Sequence, residues 1–116
     1  MKIIIAGSRD FYDYELLFEK CSEIISKMEA YGIQIVSGGA KGADILGEKF
    51  AREKGYGLAR FIPKWEIGKQ AGMIRNAEMA DYADVLIAFW NGSSKGTVGM
   101  IRIAKKKGLK IHVIQY

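Results

Sequence analysis

Five runs of consecutive apolar residues alternate along the chain with longer segments in which apolar residues recur every three or four positions. The runs are typical of strands that are buried on both faces of a sheet, and the longer segments have the spacing of helices that bury one face. Glycines or a proline follow several segments and indicate where they end. We therefore predict strands at residues 2–6, 33–37, 58–62, 84–90 and 110–114, and helices at residues 15–31, 43–54, 70–82 and 97–107.

The alternation of strands and helices, with short connections, predicts right-handed crossovers and a parallel sheet covered by helices on both faces. We predict a single α/β domain over residues 1–116, a Rossmann-like three-layer fold with five strands in the order 3-2-1-4-5. Ligands of such folds bind beyond the carboxyl ends of the strands, where the strand order reverses. Three loops rich in small, polar and charged residues are predicted to meet there: Gly7-Ser8-Arg9-Asp10, Ser37–Gly42 and Asn91–Gly96.

The middle loop is a glycine-rich turn between the second strand and the second helix, within the sequence VSGGAKGADILGE. Its glycines allow backbone angles that other residues avoid, and the first amides of the helix, at Ala43, Asp44 and Ile45, attract an anion. The spacing matches neither a P-loop nor a GxGxxG fingerprint. It is typical of a phosphate site, and equally of a tight turn that binds nothing. The candidate ligand-binding residues here are Ser37, Gly38, Gly39, Ala40, Lys41, Gly42 and Asp44.

The loop after the fourth strand also joins a strand to a helix, and its hydroxyls and amides form a second candidate anion site. Its candidate residues are Gly92, Ser93, Ser94, Lys95, Gly96 and Thr97. Thr97 is alternatively only the N-cap of the fourth helix.

Further candidates lie at the other edges of the expected cleft. Arg9 follows Gly7 and Ser8 in the sequence. It can hold a phosphate through two hydrogen bonds, or it can pair with Asp10 and shape the loop. Trp65 and Trp90 are expected beside the cleft, where an indole either stacks on a base or simply packs.

On the third helix, Arg75, Glu78, Met79 and Tyr82 share one face because their spacing matches the helical repeat. Arg75 and Glu78 are either a grip for a ribose or a phosphate, or an ordinary ion pair on the helix surface. We expect replacement of Arg75 by alanine to weaken ligand binding and to leave stability nearly unchanged.

Composition narrows the function classes. Of the 116 residues, 49% are hydrophobic, enough for one buried core, and no apolar run is long enough to cross a membrane. The net charge of +5 favours anionic ligands, although the only basic run, at residues 105–107, stands where lysines complement a helix end. With one cysteine, Cys21, and no signal-peptide pattern, we expect a cytoplasmic protein. Because His112 stands alone, we expect no metal site and no required cofactor.

Four stretches together resemble the SLOG superfamily, and within it the branch related to YspA and YpsA. They are IIIAGSRDF at residues 3–11, IVSGGAKGADILGE at 35–48, AGMIRNAEMADYADVLIAFW at 71–90 and GSSKGT at 92–97. The resemblance implies a Rossmann-like domain that binds a nucleotide or a nucleotide-derived small molecule, such as an ADP-ribose derivative. It also allows a homodimer, because related proteins often pair through their helices.

Cytokinin-activating phosphoribohydrolases are relatives in this superfamily, and their motif RKAEMA is similar to RNAEMA here. The resemblance places their functional arginine on Arg75, beside Asn76 and Glu78 of the same motif. Their second motif ends in a glutamate that supports cleavage of the N-glycosidic bond, and Met100 stands at that position. A thioether carries no charge and is a poor proton acceptor. We therefore expect binding or sensing of the ligand without this hydrolysis, unless Glu78 or Asp44 supplies the missing carboxylate.

A DNA-processing protein of natural transformation is similar in fold and holds single-stranded DNA. The basic charge keeps a nucleic-acid partner as an alternative, but the helices lack the basic face with interleaved aromatic residues that such binding uses. Three hypotheses result. We favour a binding or sensing domain for a nucleotide derivative; the others are an enzyme acting at the N-glycosidic bond of a nucleotide, and a single-strand nucleic-acid binder.

Overall fold

Strands and helices alternate along the chain as the apolar pattern predicts. The computed structural model describes all 116 residues. Its elements are β1 (Lys2–Gly7), α1 (Tyr14–Ser26), β2 (Gln34–Ser37), α2 (Ala43–Lys54), β3 (Gly57–Arg60), α3 (Ala71–Tyr82), β4 (Val85–Trp90), α4 (Lys95–Lys106) and β5 (Lys110–Gln115), with a 3-10 turn at Trp65–Ile67.

All five strands run parallel and pair in the order β3-β2-β1-β4-β5, which confirms the predicted topology. β1 is central, and its register sets Ile4 beside Val36 of β2 and Leu86 of β4. The strand order reverses at β1, because the chain continues to β2 on one side and later returns to the other side with β4. The carboxyl ends of β1, β2 and β4 therefore meet at one edge, where the three candidate loops begin.

The core forms two layers, one on each face of the sheet. Ile3 of β1 lies in the same buried layer as Leu17 of α1 and Phe50 of α2. Ile4, the next residue, lies in the opposite layer with Met79 of α3, because successive strand side chains point to opposite faces. Burial on both faces is why β1 is an unbroken apolar run in the sequence.

The end of α1 is the one boundary that differs by more than two residues from the prediction. The helix ends at Ser26 instead of residue 31, with Lys27 as its C-cap, and Glu29 takes a positive φ of 50° that interrupts the helical path. The helical spacing extends further in the sequence because Met28 still packs against the core. None of the helices is long and apolar enough to cross a membrane.

α4 begins at Lys95, two residues before the predicted start. Its N-cap is Ser94, whose side chain accepts a hydrogen bond from the amide of Thr97. The N-cap role considered for Thr97 is therefore wrong, and the first turn of α4 reaches closer to the end of β4.

Candidate functional site

A cleft of about 480 Å³ opens at the carboxyl edge of the sheet, between the loops that follow β1, β2 and β4 and the facing sides of α3 and α4. It lies where the strand order reverses. Eleven of the predicted ligand-binding residues line it: Gly7, Ser8, Arg9, Asp10, Ala40, Asp44, Arg75, Asn76, Ser94, Gly96 and Thr97.

A second cavity, of about 230 Å³, adjoins the cleft and shares Arg9, Ala40 and Arg75 with it. Trp65 lies at this cavity with 55% of its surface exposed. Four more predicted residues line it, namely Gly38, Gly39, Lys41 and Trp65, together with the unpredicted Ile62 and Pro63. The cavity therefore extends the cleft to an indole and two apolar side chains, with the cations Arg9, Lys41 and Arg75 beside them.

Size alone does not identify the site. A more open depression of about 590 Å³ lies at the opposite edge of the sheet, beside the ends of α1 and α2. Its charged lining is limited to Glu29 and Lys54, and no loop from the carboxyl ends of the strands reaches it. The cleft at the carboxyl edge is the candidate site because side chains from three loops and two helices converge there.

Six predicted residues line neither cavity: Ser37, Gly42, Glu78, Gly92, Ser93 and Lys95. Ser37 is fully buried, and Glu78 is exposed on α3 outside the cleft. Asn91 was predicted to begin the loop at this edge, and Met79 to share a face of α3 with Arg75, but neither was named as a ligand-binding residue. Both line the cleft, together with Met100 and the unpredicted Ala6.

The glycine turn between β2 and α2 is held by hydrogen bonds from the protein itself. The Gly39 amide donates to Ser37 Oγ at 3.0 Å, and the Ala40 amide donates to Asp44 Oδ2 at 3.3 Å. The Ala43 amide, the first of α2, donates at 3.3 Å to a backbone carbonyl of the first loop. Three amides that frame the predicted phosphate position are therefore already bound within the chain.

Two of the glycines in this turn are required by the close approach of other parts of the chain. Gly42 has a φ of 82°, and a side chain there would collide with the backbone of Ser8 and Arg9. A side chain on Gly38 would collide with the Arg75 guanidinium and with the Asp44 carboxylate. The glycine pattern thus reflects packing of the turn against its own neighbours.

A charged network lies beneath the turn. The Ser37 hydroxyl donates to Glu48 Oε2 at 2.7 Å, and Arg60 Nε donates to the same oxygen at 3.0 Å. Glu48 is only 6% exposed, whereas about half of the Arg60 side chain is exposed. The sequence reasoning missed this network; its signal was a glutamate one helical turn after Asp44, on the side of α2 that faces the sheet.

Asp44 brings a carboxylate to the cleft although it is only 5% exposed. Burial raises the pKa of Asp44 to about 6, while the hydrogen bond from the Ala40 amide and the charge of Arg75 oppose the rise. The carboxyl group therefore changes its protonation state in mildly acidic solution. When ionised it accepts hydrogen bonds from hydroxyl or amino groups and repels a phosphate.

Arg75 is buried, with 9% of its surface exposed, and the predicted ion pair with Glu78 is absent. Its Nη1 donates to the carbonyls of Gly38 and Phe61, and its Nε donates to Asn76 Oδ1 at 2.9 Å. Burial lowers the pKa of the Arg75 guanidinium. This side chain joins α3 to the glycine turn and to the end of β3, so we now expect Arg75→Ala to lower stability as well as ligand binding.

The loop between β4 and α4 is organised by one amide side chain. Asn91 Oδ1 accepts from the backbone amides of Ser93 at 2.9 Å and Ser94 at 2.8 Å. Ser94 Oγ in turn accepts from the Thr97 amide at 3.3 Å. The Gly96 amide has no hydrogen-bond partner in the chain, and Gly96 lines the cleft. This loop therefore presents an unpaired donor at the start of a helix.

Two aromatic residues support the loops without lining the cleft. Trp90 Nε1 donates to the Ser94 carbonyl at 3.2 Å, so Trp90 braces the β4–α4 loop and is not in position to stack on a bound base. The Tyr116 hydroxyl donates to Asp10, and its ring centroid lies 4.7 Å from that of Phe11.

The chain is similar to known proteins in both sequence and fold. A family model described as the YspA, cpYpsA-related SLOG family matches residues 1–68. The chain is 34% identical over 117 residues to the Gene 61 protein of Mycobacterium phage D29, which covers 95% of this chain and 93% of the phage protein. The X-ray structure of TM1055, a structural genomics target, matches with a TM-score of 0.68 at 21% identity, over 95% of this chain and 71% of that one. This likeness shows the Rossmann-like fold alone.

Proposed function

Because the chain belongs to the YspA, cpYpsA-related SLOG family, we propose that it binds a phosphorylated nucleotide or a nucleotide-derived small molecule in the cleft at the carboxyl edge of its sheet. Membership of this family supports a nucleotide-related binding or processing role in general. The narrower proposal depends on the continuity of the polar cleft with the cavity in which Trp65, Ile62 and Pro63 provide apolar surface. A base joined to a phosphorylated sugar needs one apolar and one polar region side by side.

We assign the phosphate to the β4–α4 end of the cleft on the basis of charge. The positive end of the α4 dipole and the unpaired Gly96 amide favour an anion there. Arg9 lines the same cleft, is exposed and forms no ion pair within the chain. Burial lowers the pKa of Arg75, the charge of Asp44 opposes this, and the charge of Arg9 adds to the lowering, so the two guanidinium groups repel each other. An anionic ligand would relieve that repulsion.

The sugar and the base are assigned to the other end of the same cleft. The buried Asp44 carboxylate repels phosphate but accepts hydrogen bonds from the hydroxyl groups of a ribose. Beyond Asp44, the exposed Trp65 ring and the side chains of Ile62 and Pro63 form a surface on which a base can stack. The sheet order, with β3 beyond β2, sets these groups on the side of Asp44 away from α4.

Calorimetric titration with AMP, GMP, CMP and UMP, and with adenosine as the ligand without phosphate, tests the proposal. We expect at least one mononucleotide to bind more tightly than its nucleoside. Replacement of Arg9 by alanine should weaken that binding about tenfold or more, since a hydrogen bond to a charged group contributes about 1.5–3 kcal/mol.

Arg102→Ala is the matched control, because Arg102 is an exposed arginine of α4 that lines neither cavity. An equal loss of affinity in both variants would reduce the role of Arg9 to general electrostatic attraction. Absence of binding to any mononucleotide would contradict the proposal, and tighter binding of a single-stranded oligonucleotide would favour the nucleic-acid alternative.

A nucleotide-processing enzyme is the second candidate, and the position of Asp44 favours it. Asp44 and Met100 line the same cleft, whereas Glu78 lines neither cavity. Of the two carboxylates considered as substitutes for the missing glutamate, only Asp44 is therefore near the site. We expect no appreciable release of free base from mononucleotides, because loss of one preorganised group costs about a hundred- to a thousandfold in rate.

Chromatography of free base, with wild type beside Met100→Glu and Asp44→Asn, separates the binding and enzyme candidates. Robust release by the wild type that disappears in Asp44→Asn would favour the enzyme. Release only by Met100→Glu would support the binding role and identify the position of the missing group.

A further inference from the structure

Asn91 joins the β4–α4 loop to the loop Gly7-Ser8-Arg9-Asp10 that follows β1. Its Nδ2 lies 3.3 and 3.2 Å from the two carboxylate oxygens of Asp10. Its Oδ1 accepts the amides of Ser93 and Ser94 at 2.9 and 2.8 Å. Its backbone amide donates to Ser8 Oγ at 3.2 Å. Every polar group of Asn91 except its carbonyl therefore bridges or shapes the two loops.

The two ends of the Asn91 side chain have opposite requirements. Asp10 needs a donor, and the loop amides need an acceptor, so only an amide of this length meets both. Asp10 itself is held from a second side by the Tyr116 hydroxyl. These hydrogen bonds, first from Tyr116 and then from Asn91, lower the pKa of Asp10 and keep it an ionised acceptor.

We propose that Asn91 is a positioning residue, which sets the geometry of the anion-binding end of the cleft by joining the start of α4 to Asp10. The inference rests on the proposed function, since it concerns the same cleft. Asn91 orders the residues that lead to the unpaired Gly96 amide, and Asp10 holds Asn91 in the orientation that makes this possible. The bridge predicts that the effect of a change at residue 91 depends on residue 10.

An exchange of the two groups tests the bridge. Asn91→Asp keeps the acceptor for the loop amides but sets a second carboxylate against Asp10. The double variant Asp10→Asn with Asn91→Asp restores a donor facing an acceptor. With AMP as the probe, or the tightest binder among GMP, CMP and UMP, we expect Asn91→Asp to weaken binding about tenfold and the double variant to recover to within about threefold of wild type.

Gln115→Glu is the matched control. Gln115 lies beside Gly92, so this variant adds the same charge near the loop at a residue that does not line the cleft. We expect it to weaken binding less than Asn91→Asp does. Equal losses in these two variants, or a double variant that binds no better than Asn91→Asp, would overturn the bridge.

Amide hydrogen exchange provides a readout that needs no ligand. The Ser93 and Ser94 amides should exchange faster in Asn91→Asp and recover in the double variant, because their acceptor is held by the bridge. If the wild type binds no mononucleotide, the proposed function fails and exchange alone decides: recovery supports the bridge, and unchanged exchange overturns it.

Discussion

The two glycine-containing loops that follow β2 and β4 look alike in sequence, yet their polar groups have different partners. In the Gly38–Gly42 turn, the backbone groups are bound by the chain's own Ser37, Asp44 and Arg75. In the loop that leads to α4, the Asn91 and Ser94 side chains accept hydrogen bonds from backbone amides up to Thr97, and the Gly96 amide stays unpaired. Both helices begin with unpaired amides, those of Asp44 and Ile45 in α2 and that of Gly96 in α4. The first turn of α2 carries the Asp44 carboxylate, whereas the first turn of α4 carries no acidic residue.

The comparison shows what a glycine-rich turn between a strand and a helix establishes. Such a turn indicates that something approaches the backbone closely. At Gly38 the approaching groups are the side chains of Arg75 and Asp44. At Gly42 they are the backbone atoms of Ser8 and Arg9. Asp44 puts a negative charge of the protein at the helix start where a phosphate was predicted. This charge supports the proposal of an anion at the start of α4 instead.

The largest expected effect tests the hydrogen bonds that hold the Gly38–Gly42 turn. Arg75→Ala should destabilise the fold by about 4 kcal/mol, because it leaves the Gly38 and Phe61 carbonyls unpaired and a buried Asp44 without its positive neighbour. Urea unfolding measures the change. Arg9→Ala, at an exposed arginine of the same cleft, should change stability by less than about 0.5 kcal/mol. Equal midpoints for both variants would show that Arg75 does not hold the turn.

A second prediction concerns the Asp44 carboxylate, which lies at the start of α2 beside the Gly38–Gly42 turn. Its folded-state pKa, about 6, is raised above the ordinary value of 3.8 by burial, so its stabilising contribution is complete below about pH 4 and is lost as the pH rises through 6. The stability of Asp44→Asn relative to wild type should therefore rise by about 2 kcal/mol between pH 4 and pH 7.5. Urea titrations at both pH values measure this difference. A difference that is constant with pH would mean that Asp44 is not desolvated.

These two predictions concern side chains whose positions the sequence did not reveal. The sheet order followed from alternating apolar runs, and the location of the cleft followed from that order. The burial of Arg75 did not, because it depends on the meeting of α3 with the ends of β2 and β3. The bond between Tyr116 and Asp10 joins residues 106 positions apart, so no local pattern predicts it. Features that follow from local sequence, such as the elements and the location of the cleft, were predictable. Side-chain contacts that depend on tertiary packing were not.

A matched pair of serines sharpens the comparison between the loops. Ser37→Ala should cost about 2 kcal/mol, because a fully buried hydroxyl that serves Gly39 and Glu48 is lost. Ser94→Ala should cost about 1 kcal/mol, the usual loss for a helix N-cap. Phosphate binding should fall more in Ser94→Ala, since the Asp44 carboxylate repels an anion from the start of α2, whereas the first turn of α4 carries no acidic residue. The reverse order of affinities would favour an anion site at the Gly38–Gly42 turn instead.

The smallest expected effect decides whether the second loop is suited to an anion. Lys95 is exposed in the first turn of α4, where a cation opposes the helix dipole, so Lys95→Ala should stabilise the free protein by about 0.3 kcal/mol. Lys105, in the last turn of the same helix, complements the dipole, and Lys105→Ala should destabilise by a similar amount. If an anion binds at the start of α4, Lys95→Ala should also lower its affinity and reduce the dependence of that affinity on salt, whereas Lys105→Ala should not. Thermal unfolding and titration at two ionic strengths measure both quantities. A lysine that is unfavourable for its helix but favourable for a ligand is expected at a binding site, and equal affinities in the two variants would argue that Lys95 is only an exposed charge.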